Sequence, residues 1–303
     1  MQWMTRPGHC EYGKDDPMAL CFFVSDLHGH IDRYEKFFEL ISEEPPEAVF
    51  LGGDLLPHRL RPQRFQGEVI DHFILNYLFL RFDQLRSHLG RHYPPVFLIM
   101  GNDDPRSEEE HFIMGHEMML WSYIHMRSLP FGGYTVMGYS YIPPSPFQLK
   151  DWERYDVSKY VDPGCIPPEE GFRTWGDTRD AEHSTIRKHL KQMTADLDKE
   201  KLICLFHSPP YNTHLDRAAL DGIEVDHLPL DVHVGSIAIR EFIQEQQPVV
   251  TLHGHIHESS RLTGQWSHQL GRTLAFNASW DGPELAVIKF DPERPAEAVR
   301  VLL

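Results

Sequence analysis

Five short motifs set metal-binding side chains where apolar runs end. They are Ser25-Asp26-Leu27-His28-Gly29, Gly52-Gly53-Asp54, Gly101-Asn102-Asp103-Asp104, Phe206-His207-Ser208 and Gly254-His255-Ile256-His257. Asp26, Asp54, Asn102, His28, His207, His255 and His257 together offer two carboxylates, one amide and four imidazoles. That donor set is large enough for two divalent ions side by side, and a pair of ions suggests hydrolysis of a phosphoester. Imidazole mixed with oxygen suits Mn, Fe, Zn, Ni or Co better than Ca or Mg.

Each motif alone has an ordinary explanation. With 20 His in 303 residues, a His-x-His pair arises about once by chance. Asp54 or Asn102 alone reads as a helix cap or turn residue. Position argues otherwise. Residues i and i+2 at an extended strand end point to the same side, so Asp26 with His28, and His255 with His257, are expected to converge. In open α/β sheets the meeting place is the crevice outside the carboxyl ends of the strands. Asp54 ends the run Val49-Phe50-Leu51-Gly52-Gly53, where glycine permits close approach to a cation. Asn102 and His207 end Phe97–Gly101 and Ile203–Phe206 in the same way.

In this order the motifs resemble the calcineurin-like metallophosphoesterase family, whose pattern is D-x-H, G-D, G-N-H-[DE], a lone His after a strand, and G-H-x-H. The resemblance covers Leu20 to about Phe290. It implies an α/β four-layer sandwich, two mixed β-sheets flanked by helices. It also implies hydrolysis of a small phosphodiester or phosphomonoester by a metal-bound hydroxide. By the same resemblance Asp26, His28 and His257 hold one ion, Asn102, His207 and His255 hold the other, and Asp54 bridges them. Two cations about 4 Å apart repel strongly, and a shared carboxylate screens that repulsion.

One position departs from the pattern. Asp103 stands where the family has His, followed by Asp104. A carboxylate has the wrong charge to stabilise a leaving oxygen unless its environment keeps it protonated. Asp54, Asn102 and Asp103 are the candidates for the chemistry, and Asn102, Asn212 and His253 for holding substrate. His30, His214, His233 and His253 are other imidazoles that could take over the part of the missing His, and Tyr211 or Asn212, in the rigid turn Ser208-Pro209-Pro210-Tyr211-Asn212, could meet a phosphate oxygen. The missing His tilts the expectation towards a phosphodiester.

The elements that must position these residues alternate through the first half of the chain. Strands are expected at 19–24, 48–51, 96–100, 134–139, 202–206, 249–252, 273–276 and 285–290, each a short apolar run. Helices are expected over 31–42, 68–89, 111–121 and 236–246, with one carrying Ile186, Leu190, Met193 and Leu197. Ser107 and Glu110 read as a capping box. Residues 1–17 read as an irregular lead-in. Residues 142–176 interleave prolines with Trp152, Tyr155, Tyr160, Phe172 and Trp175, which predicts a long ordered loop near the site. One domain over 1–303 is expected.

Composition narrows the partners. A net charge of −16 argues against nucleic acid, because affinity for a polyanion rests on Lys and Arg. A nuclease of the same fold is therefore disfavoured, and a non-catalytic scaffold would not need all seven ligand positions filled. Four cysteines without paired spacing, no signal-like N-terminus and no apolar run of bilayer length suggest a cytoplasmic protein away from membranes. Oligomeric state is not legible.

Overall fold

The computed structural model describes residues 20–57, 63–176 and 179–303. The expected lead-in at 1–17 and Cys10 lie outside them. In chain order the strands are β1 (Cys21–Val24), β2 (Ala48–Leu51), the short pair β3 (Arg64–Phe65) and β4 (Glu68–Val69), β5 (Val96–Leu98), β6 (Ser122–Tyr123), β7 (Arg127–Phe131) and β8 (Tyr134–Tyr139). There follow β9 (Leu202–Phe206), the pair β10 (Glu224–Val225) and β11 (Leu228–Pro229), β12 (Val250–His253), β13 (Ser267–Leu270), β14 (Thr273–Asn277), β15 (Ala286–Phe290) and β16 (Val299–Leu302). The helices are α1 (Ile31–Glu43), α2 (Phe79–Leu89), α3 (Glu109–Glu117), α4 (Arg179–His183), α5 (Ile186–Met193), α6 (Ile237–Gln246) and α7 (Ser259–Thr263).

Two six-stranded sheets form the centre, ordered β16-β15-β1-β2-β5-β6 and β13-β14-β12-β9-β8-β7. Both are mixed. β1, β2, β5 and β6 run parallel, as do β8, β9, β12 and β14, while β15, β16, β7 and β13 add antiparallel edges. Alternation along each strand divides its side chains between two cores. Cys21, Phe23, Phe50, Phe97, Ile203, Leu205, Leu252 and Phe290 fill the layer between the sheets. Phe22, Val24, Val49, Leu51, Cys204 and Phe206 face outward onto the helices. This is why the strands read as continuous apolar runs: both faces are buried. The architecture is the expected α/β sandwich of two mixed sheets flanked by helices.

Some elements differ from the sequence reading. The expected helix over 68–89 is a β-turn-β pair, then a π-helical turn at Ile74–Leu78, then α2. Apolar residues wrapped too widely around 73–82 to reveal where the helix starts. The capping box at Ser107 does not form a cap: a 3-10 turn at Arg106–Glu108 precedes α3, whose N-cap is Glu108 with no side-chain cap bond. α5 stops at Met193, before Leu197. Cys21, Cys165 and Cys204 are free thiols. Among the described residues no helix is long and apolar enough to cross a membrane.

Candidate metal centre

Backbone bonds stitch the carboxyl end of β1 to that of β2, and the end of β9 to that of β12. Asp26 N–H donates to Gly53 O (3.0 Å), His28 N–H to Asp54 O (2.8 Å) and Gly254 N–H to His207 O (2.9 Å). Other bonds cross from one sheet to the other. His207 Nδ1 donates to Gly52 O at 2.8 Å, and the His255 N–H reaches the Asp26 carboxylate at 3.1 Å.

Convergence here does not come from extended alternation, as the sequence reading had it. Asp26, His28, Asp54 and His255 take left-handed backbone, with φ of 58°, 44°, 53° and 72°. For residues other than glycine this costs about 1–3 kcal/mol each, and it persists where the surroundings dictate it, characteristically at functional sites. Close approach also demands glycine at two positions. A β-carbon on Gly101 would run into Asp54 and His207, and one on Gly254 into Ser25 and Asp26.

Two groups of ligand atoms result. Asp26, His28 and His257 offer atoms within 4.8 Å of one another, and so do Asp54, His207 and His255. His28, Asp54 and Asp103 meet the same limit, so Asp54 lies within reach of both groups. His28 Nε2 and His257 Nε2 are 3.2 Å apart, and His257 Nε2 is 3.0 Å from Asp26 Oδ1. His207 Nε2 lies 3.0 Å from Asn102 Oδ1 and 3.3 Å from Asp54 Oδ2.

The donor chemistry fits cations. Gly52 O can only accept, so His207 carries a hydrogen on Nδ1 and turns Nε2 towards two oxygens that are themselves acceptors. Lone pairs meeting in this way need a proton or a cation between them. Burial pulls the His207 imidazole down, but the Asp54 carboxylate overrides it and the pKa is pushed up to about 10. Burial opposes protonation at His257 too, and Asp26 overrides it, up to about 9. At His255 burial and the His207 charge win, driving it down to about 3. Burial raises the carboxyls of Asp26 and Asp54, yet the facing imidazoles hold both below the ordinary range.

The two adjacent carboxylates after Asn102 part company. Asp104 is fully buried and accepts N–H bonds from Leu55 (2.9 Å), Leu56 (2.8 Å) and Gly101 (2.9 Å). It clamps the loop after β2 to the loop after β5. Burial and the nearby Asp54 charge raise its carboxyl to about 7. Asp103 instead faces the centre. Its N–H donates to Asp54 Oδ1 at 2.7 Å, its Oδ1 accepts from Asn102 Nδ2 at 3.0 Å, and its Oδ2 stands 3.8 Å from His28 Nδ1 with the side chain 36% exposed.

The expected substrate contact at His253 is corrected. His253 is wholly buried. Its ring nitrogens meet Ser208 O at 2.9 Å and Thr251 Oγ1 at 2.8 Å, and its ring stacks on Phe206. The left-handed turn at His255 sends His253 into the core while His255 and His257 reach the centre. Among the other candidates, Tyr211 OH donates to Asp231 at 2.6 Å, His214 packs edge-on against His268, and His233 Nδ1 lies 2.9 Å from Asp216 Oδ1. His30 is the N-cap residue of α1. Asn212 is exposed in a left-handed turn, φ 53°.

Sequence reasoning missed the residues that hold these loops. Asp216, fully buried, accepts N–H bonds from Asn212, Thr213 and Gly235, and so shapes the turn carrying Asn212. The loop over 142–176 is ordered by charge as much as by aromatics. Lys150 and Glu153 form a fully buried pair at 2.6 Å, and Asp151 accepts from the N–H groups of Arg106 and Thr174, each at 2.8 Å. Trp152 Nε1 donates to Asp104 O at 2.7 Å, so this loop backs directly onto the segment bearing Asn102 and Asp103. Tyr160, Phe172 and Trp175 are exposed. Single buried charges in a Pro-rich stretch carry no periodicity, and no sequence signal singles them out.

A cavity of about 590 Å³ lined by Trp266, Arg272, Phe276 and Arg294 shares no residue with the centre. Its arginines are engaged by Gln247 and Glu200, and by Asp291 and Glu297.

Residues 21–259, well over half of the chain, match the calcineurin-like phosphoesterase family, and the chain belongs to that family. Solved structures agree in fold. The protein TT1561 of Thermus thermophilus superposes with a TM-score of 0.54 at 16% identity, covering 94% of this chain and 99% of its own. Another solved chain gives a TM-score of 0.55 at 14% identity, with the same coverage. No curated protein matches the sequence. Fold, family and ligand clusters together describe a metal-dependent phosphoesterase with one or two divalent ions.

Proposed function

We propose that this chain is a single-domain binuclear phosphoesterase that hydrolyses small phosphodiesters in preference to phosphomonoesters. The observation that carries the binuclear reading is the position of Asp54, within ligand distance of groups from both clusters. In this reading Asp26, His28 and His257 hold one ion, Asn102, His207 and His255 the other, and the Asp54 carboxylate is shared. Two ions of Mn, Fe, Zn, Ni or Co, when bound, would draw in the phosphoryl oxygens and lower the pKa of water.

The residues themselves do the rest. His207 is held in one tautomer by Gly52 O, so its Nε2 always faces the centre. Asn102 is steadied by its bond to Asp103 and turns its Oδ1 to His207. Asn212, in the turn set by Asp216, is the further candidate for a substrate oxygen. Asp103 sets the preference between esters. A monoester carries close to two negative charges near neutral pH and a diester one, so a carboxylate facing the centre repels the monoester more.

The net charge of −16 supports a small substrate over nucleic acid, and the unpaired thiols support a cytoplasmic setting. The test is turnover of aryl phosphodiesters and aryl phosphomonoesters, beside a nucleotide panel, by metal-reconstituted protein. Diester turnover exceeding monoester turnover is expected. Inactivity with both ions bound would favour a scaffold instead.

A further inference from the structure

Away from the paired clusters, a separate constellation brings ligand atoms within 4.8 Å of one another: His72, Glu108 and His111. Glu108 Oε2 lies 3.0 Å from His111 Nδ1 and 3.4 Å from His72 Nε2. The two imidazole rings meet edge to face with centroids 4.6 Å apart. The side chains of His72, Glu108 and His111 are 33%, 26% and 26% exposed, sheltered yet open to an ion from solvent.

An i,i+3 pair at the start of α3 would account for Glu108 and His111 alone, since residues three apart share a helix face. It does not account for His72, which arrives from the segment leading into the π-helical turn and aims at the same carboxylate oxygen. Arg106, the cation nearest in sequence, is engaged by Glu109 at 3.0 Å. Two imidazoles and one carboxylate on a common point make a ligand set for a borderline divalent metal. Tetrahedral zinc with ordinary Zn–N and Zn–O lengths sets its ligand atoms about 3.3–3.5 Å apart, close to the spacings seen here.

We propose that His72, Glu108 and His111 bind one further divalent ion of the zinc, nickel or cobalt class, independent of the paired centre. Binding puts the His72 proton on Nδ1. The Leu75 N–H, which approaches that nitrogen at 3.4 Å on an exposed surface, then turns to water. The ion ties the chain before Ile74–Leu78 to the start of α3, the helix that follows the Asn102–Asp104 loop. It is a structural clip, because none of its ligands belongs to the paired clusters.

Metal-stripped protein is titrated with Zn²⁺, and separately with Ni²⁺, then freed of excess ion and counted by plasma mass spectrometry. Wild type is compared with His111→Ala and with the milder Glu108→Gln. Each variant is expected to bind one ion fewer than wild type while keeping its circular dichroism spectrum and its phosphoesterase turnover. The visible absorption of cobalt-loaded wild type is expected to exceed that of cobalt-loaded His111→Ala. Equal ion counts in wild type and both variants would overturn the proposal. Because the count is a difference, it reads the same whether or not the paired clusters fill.

Discussion

His207 Nδ1 meets the carbonyl oxygen of Gly52 at 2.8 Å, so a side chain from the end of β9 closes onto the strand end of β2 in the opposite sheet. This one bond both joins the sheets and decides which nitrogen faces Asp54 and Asn102. Protons and cations then compete for the same place.

That competition has a pH signature. The folded pKa values of His207 and His257, about 10 and about 9, lie above the ordinary 6.5 of the unfolded chain. Their contribution to stability is whole below pH 6.5 or so and is lost as pH rises through about 9 and 10. Chelator-stripped protein should lose resistance to urea between pH 6.5 and 10. Metal-loaded protein should hold or gain it, because ions replace those protons. Urea midpoints for both forms over this range check the point, and parallel curves would refute it.

Asp103→Asn removes a negative charge from the face of the centre without changing its shape. Monoester kcat/KM should rise roughly tenfold, a modest share of what a unit charge a few ångströms away exerts at the protein surface. Diester kcat/KM should change much less. Equal effects on both esters would mean that Asp103 does not discriminate by charge.

The runs ending at Val24, Leu51, Met100, Phe206 and Leu252 were legible because both faces of each strand are buried, which leaves unbroken apolar stretches. β7, β13 and β16 were missed for the opposite reason: as partly exposed edge strands they mix polar or charged residues with apolar ones. Motif order placed Asp26, His28, Asp54, Asn102, His207, His255 and His257 at strand ends, and the structure gathers them. It could not show that the chain turns left-handed there, so His253 looked as though it faced substrate on the side of His255. It singled out Asp103 over Asp104, but the part Asp104 plays in clamping the loops after β2 and β5 emerges only once the loop is folded.

Trp152→Phe keeps the buried ring and deletes the donor to Asp104 O. Leaving that carbonyl unpaired should cost about 1–3 kcal/mol, read as a lower urea midpoint at unchanged slope. Metal content should be retained, since the indole touches the backbone behind the centre. An unchanged midpoint would show that the 142–176 loop does not brace the site segment.

Asp54→Ala removes the carboxylate within reach of both clusters and an acceptor for the Asp103 N–H. Both ions should be lost, and turnover should fall at least about a hundredfold, the scale on which one electrostatic contact to the reacting oxygens counts. Plasma mass spectrometry beside the kinetics decides it. A variant that keeps its full metal content would remove Asp54 from the bridging position.

Anomalous diffraction from crystals loaded with a single transition metal tests the shared centre most directly. Two peaks a few ångströms apart are expected, one against Asp26, His28 and His257, the other against Asn102, His207 and His255, with an Asp54 oxygen touching both. A lone peak, or an Asp54 that contacts only one ion, would contradict it.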